Sequence, residues 1–89
     1  MPIYLIERNY AEDLAIDAEI AAGLMRINTD AGVRWLYSFL SADKRKTYCL
    51  YEAESMDEIR IAAARAGLPA DVITEVTDLV TPDGALAPI

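Results

Sequence analysis

The chemistry available to this chain lies in the polar side chains that interrupt its apolar runs. These are Glu7 and Arg8 in IYLIER, Arg34 and Ser38 in VRWLYSFL, and Tyr48, Cys49, Tyr51 and Glu52 in KTYCLYEA. A carboxylate set among aromatic rings loses hydration, so its pKa rises toward neutrality and it can serve as a general base. Glu7 is the candidate for that role, with Tyr48 as the acid. The same Glu7 also suits a structural ion pair with Arg34 or another arginine. Arg34 and Ser38 are candidate ligand contacts, Arg34 for an anionic group. Trp35 and Tyr51, with Tyr37 and Tyr48, are candidates to line a slot for a flat or apolar body. Aromatic residues at alternate strand positions serve equally as core or subunit interface, and both readings stay open. Cys49, between Tyr48 and Leu50, reads as a small buried hydrophobe rather than a nucleophile.

Several chemistries are excluded by what is missing. No histidine occurs among the 89 residues, which removes Ser-His-Asp and Cys-His catalysis and the commonest transition-metal ligand. No glycine-rich phosphate loop and no CxxC pair is present, so no cofactor is expected. Glu7, Cys49 and the acidic residues are not at ligand spacing, so no metal site is expected either. The formal net charge of −7 opposes nucleic-acid binding, because phosphate contacts depend on Lys and Arg. The one cationic run, Lys44-Arg45-Lys46, falls where a solvated turn belongs.

These residues must be positioned by one domain, since 89 residues with 54% hydrophobic content suffice for a single core. A lone cysteine gives no disulfide. The opening MPIYLIERNY has no basic leader, and no apolar run approaches the roughly 20 residues that span a bilayer. A cytoplasmic location without membrane contact is expected.

The run Ile3 to Arg8 predicts a first strand. Residues Ala11 to Ile27 predict a helix rich in Ala, Leu and Glu, with Glu12, Asp13, Asp17 and Glu19 near its N-terminus, where the helix dipole favours negative charge. Asn28 to Gly32 is a turn. Val33 to Leu40 and Lys46 to Ala53, joined by SADKR, predict a hairpin. Ser55 and Glu58 have capping-box spacing and start a second helix, which should stop at Gly67 ahead of Pro69. Val72 to Val80 predicts a fourth strand. The order βαββαβ is an α+β, ferredoxin-like arrangement: a four-stranded antiparallel sheet with two helices on one face. The domain should span residues 1–80, with 81–89 a tail, frayed or docked on a partner. Strict alternation places Trp35, Tyr37 and Phe39 on one face of the second strand, and Arg34, Leu36, Ser38 and Leu40 on the other. Both faces then carry apolar groups, which predicts a homodimer formed by packing sheet faces or swapping edge strands.

The segments MPIYLIER, GVRWLYSFLSADKRKTYCLYEA and RAGLPADVITEV together resemble, over nearly the whole chain, a bacterial family of uncharacterised function that includes a small nickel-binding protein. The resemblance implies a homodimeric ferredoxin-like fold and, for the nickel-type branch, ligation by histidines at the positions of Trp35, Leu36, Ala62 and Ala63 and near Asn9. None of those positions is histidine here, so the chain resembles a histidine-poor branch, and only the fold and the dimer carry over. The expected function is that of a dimeric protein binding a small organic molecule. The alternative is a cofactor-independent isomerase, cyclase or monooxygenase of the dimeric α/β-barrel kind, an analogy of fold alone.

Overall fold

The computed structural model describes residues 1–12 and 14–89. Along the chain run β1 (Ile3–Asn9), α1 (Ala18–Asp30), β2 (Arg34–Leu40), β3 (Lys46–Glu52), α2 (Met56–Ala66), β4 (Val72–Val76), β5 (Asp78–Val80) and β6 (Leu86–Pro88). The first four strands named by position in the sheet stand in the order β2-β3-β1-β4, every neighbour antiparallel. This is the expected α+β ferredoxin-like arrangement, with β1 and β3 central.

Opposed residues of an antiparallel pair share a face. Tyr4, Ile6 and Arg8 of β1 lie opposite Tyr51, Cys49 and Thr47 of β3, and this face meets the helices. Its core is Tyr4, Ile6, Cys49 and Tyr51 packed with Val33, Ala53, and Ile59 and Ala62 of α2. The other face carries Glu7 opposite Tyr48 and Leu5 opposite Leu50. Helix α2 is seated firmly, with Ile59, Ala62 and Ala63 buried. Helix α1 stands further off: Asn28 is its one buried residue, and Ile20 and Met25 are exposed.

Helix α1 begins at Ala18, not Ala11. Before it, the backbone N–H groups of Tyr10 and Leu14 donate to Arg45 and Lys44 carbonyls of the β2–β3 turn at 2.8 and 2.7 Å, so they are lost to an i−4 ladder. Asp17 is extended and caps the helix, its Oδ1 accepting from the Ile20 N–H at 2.8 Å. Of the acidic residues expected there, Asp13 lies outside the described residues. The second helix keeps its boundaries but not the reciprocal capping box. Ser55 Oγ donates directly to the Glu58 carboxylate. That bond, aided by backbone N–H groups of Glu58 and Ser55, holds Glu58 below the ordinary carboxylate pKa.

The expected fourth strand divides at Thr77. Val76 pairs with Ile3, the first residue of β1, so beyond it no partner remains in the sheet. The chain instead pairs β5 with β6, turning at Gly84 with φ +82°. Residues 86–88 are therefore strand, half of a separate two-stranded ribbon.

The strict alternation expected in β2 fails at a bulge. Trp35 pairs with Tyr51 but Tyr37 pairs with Leu50, so Leu36 is an extra residue and the parity of every later side chain is reversed. Trp35, Ser38 and Leu40 consequently share the helix-covered face, while Tyr37 and Phe39 occupy the open one, in edge-to-face contact with centroids 5.6 Å apart.

At the end of α2, Gly67 is left-handed at φ +67° and its N–H closes the last turn on Ala63 and Ala64 carbonyls. A Cβ there meets open space, so only backbone strain opposes it. Gly67→Ala is expected to cost about 1–2 kcal/mol, read as a lower denaturant midpoint at unchanged slope.

Candidate functional site

Because α1 stands off the sheet, a cavity of about 570 Å³ opens between them, within the size range of small-molecule sites. Its walls are aliphatic: Leu14, Ile16, Ile20 and Leu24 from the α1 side, with Leu40 and Leu68. Its floor is the helix-side face of β1, β2 and β3, where Arg8, Trp35, Ser38, Thr47, Cys49 and Tyr51 gather. The bulge in β2 matters here, since without it Trp35 and Ser38 would not share this face.

The polar groups of the floor form two hydrogen-bonded sets. Trp35 Nε1 donates to Ser38 Oγ at 2.9 Å. Tyr10 Oη and Thr47 Oγ1 are 2.9 Å apart, and Cys49 Sγ donates to the same Thr47 oxygen at 3.4 Å. Burial pushes the phenol pKa of both Tyr10 and Tyr51 upward, so both are hydroxyls at neutral pH. Arg8 is 2% exposed. Its Nη1 donates to the Pro69 carbonyl, its Cζ lies 5.7 Å from the Tyr51 ring centroid, and its Nε has no partner. Among the described residues no carboxylate pairs with it. An uncompensated buried charge costs on the order of several kcal/mol, which makes Arg8 the least expected group in the molecule.

Of the residues singled out from the sequence, Trp35, Ser38 and Tyr51 meet on this floor. Arg34 does not. Its side chain is well exposed, 4.0 Å from Glu52, and borders a separate recess with Met25, Asn28 and Val33. Glu7 and Tyr48 do come together, directly opposed across β1 and β3, but on the open face, away from the cavity. Among the ion pairs of the described residues, none joins Glu7 to Arg34 or another arginine. The partner of Glu7 is Lys46, with Nζ at 3.7 Å and 5.0 Å from the Tyr48 ring centroid. Tyr48 and then Glu7 raise the Lys46 pKa. Partly exposed pairs of this kind contribute about 0.2–1 kcal/mol, so Glu7→Gln is expected to lower stability by less than about 1 kcal/mol in a denaturant titration.

The residues overlooked in the sequence are Tyr10 and Thr47, and Arg8, though named among the polar groups of the first strand, is given no role there. A signal for Arg8 was present: it follows Tyr4 and Ile6 at a period of two, and so belongs on the buried face with them.

The fold and the cavity define a small ferredoxin-like protein with a largely apolar, partly open site between its sheet and first helix. The chain belongs to the family of nickel-responsive SCO4226-like proteins, whose model matches residues 4–76. The crystal structure of SCO4226 from Streptomyces coelicolor A3(2) superposes with a TM-score of 0.71 at 21% identity, covering 83% of this chain and 94% of that one. No curated protein matches the chain significantly. The residues present do not fit the metal in the family's description. Nickel favours imidazole ligands, and these 89 residues include no histidine. Among the described residues no three Cys, Asp or Glu side chains converge. Nor, among them, is any helix long and apolar enough to cross a membrane.

Proposed function

We propose that this protein binds a small organic molecule in the cavity between the sheet and α1, and does so as a cytoplasmic homodimer. The observation that carries this reading is the cavity itself: aliphatic walls over a floor with a few convergent polar groups, the usual makeup of a small-molecule site. Dimerisation is supported by the open sheet face, where Phe39 is 61% exposed beside Tyr37, and by the β5–β6 ribbon, which exposes Leu79, Val80 and Leu86. An isolated two-stranded ribbon is marginal in water, and a second copy would cover it. The bulge in edge strand β2 disfavours edge-to-edge pairing, so packing of sheet faces is the mode proposed. The enzyme reading keeps Glu7 as base and Tyr48 as acid, but that pair lies on the face this dimer would bury, and Glu7 is engaged by Lys46.

The single tryptophan lines the cavity and reports on it. Titration with the uncharged apolar probe decan-1-ol is expected to change Trp35 emission saturably, at one probe per chain. Emission that stays constant up to the solubility of this probe and of its carboxylic acid, decanoate, contradicts the binding reading.

A further inference from the structure

Resting on that reading, we infer that the molecule held in the cavity is a monocarboxylate with an apolar body, its carboxylate received by Arg8. Arg8 is buried on the cavity floor with no carboxylate partner among the described residues and an orphaned Nε. The groups around it on the floor are donors or neutral: the hydroxyls of Tyr10, Thr47 and Tyr51 and the thiol of Cys49. Among the described residues the one acidic side chain lining the cavity, Asp17, is committed to the α1 backbone through Ile20 N–H. A carboxylate placed on the guanidinium would complete a charge-assisted pair, which is the planar geometry arginine favours.

Two features narrow the class. Among the described residues only one cation lines the cavity, so it balances one negative charge and leaves a dianionic phosphate monoester half uncompensated. The remaining lining is aliphatic and aromatic, which calls for a hydrocarbon body. The bond of Nη1 to the Pro69 carbonyl and the cation–π contact with Tyr51 fix the guanidinium before any ligand arrives, and a preorganised group loses little entropy on binding. The net charge of −7 repels anions at long range, so a preference for an acid over its alcohol would have to arise locally.

The test compares decanoate with decan-1-ol at neutral pH, where the acid is ionised. Wild-type protein is expected to bind decanoate at least about tenfold tighter. Arg8→Gln should erase that preference and leave affinity for the alcohol within about threefold. In 15N-labelled wild type, the buried arginine Nε–H resonance should move with decanoate and not with decan-1-ol, a readout that stands even if the variant does not fold. Equal binding of acid and alcohol, or a preference that survives Arg8→Gln, overturns the inference while the cavity reading persists. Binding of neither probe removes the cavity reading and this inference with it.

Discussion

Replacing Ile6 by alanine is expected to destabilise the domain by about 2–5 kcal/mol. Ile6 is fully buried at the centre of β1, opposite Cys49 on one side and Ile73 on the other, and it belongs to the same cluster as Ile59 of α2. It therefore sits where the two central strands and the better-seated helix meet. A β-strand backbone held by ladders on both edges cannot collapse onto the missing methyl groups, so most of the cavity cost persists. Total stabilities of such domains are about 5–15 kcal/mol, and a loss of this size lowers the melting temperature by about ten degrees or more. A change below about 1 kcal/mol would mean that the core is centred elsewhere.

Trp35→Ala is expected to remove most of the cavity's affinity and leave the oligomer intact. If the indole presents on the order of 100 Å² of apolar surface to a ligand, its contribution is about 2.5 kcal/mol, or roughly sixty-fold in affinity. Truncation also frees Ser38 from its bond to Trp35 Nε1, leaving an unpaired hydroxyl on the floor. The oligomer should survive because the bulge at Leu36 puts Trp35 on the face opposite Tyr37 and Phe39. Calorimetric titration with decan-1-ol and sedimentation of the same sample give both readouts. Loss of the oligomer with binding retained would show that the indole belongs to an interface.

The fold was legible wherever local pattern and tertiary partner agree. Strand β1 alternates cleanly because it is buried on one face along its length, β3 does so except at Leu50, which is buried on the other face, and α2 is announced by Ser55 and ended by Gly67. Three features were hidden for one reason: each depends on a partner remote in sequence. The segment before α1 has helical composition, yet its amides go to the β2–β3 turn. The run from Val72 to Val80 has uninterrupted β propensity, yet β1 ends before it does. Leu36 carries no glycine or proline to mark a bulge, and the extra residue is visible only once β2 is aligned with β3. That last feature decides the site. Alternation alone puts Trp35 with Tyr37 and Phe39 and separates it from Ser38, whereas the register unites Trp35 with Ser38 and Tyr51. Arg8 was visible as a polar group of the first strand but given no role, because its burial depends on the register of β1 against β3.

The central claim is that the cavity between sheet and α1 holds an organic molecule in a dimer. Native mass spectrometry of the purified protein, gentle enough to keep the oligomer and compared with the denatured mass, tests it most directly. The expected result is a dimer carrying additional organic mass that is lost on denaturation and absent from Trp35→Ala. A monomer, or a dimer with no organic adduct before and after incubation with decanoate, would contradict it.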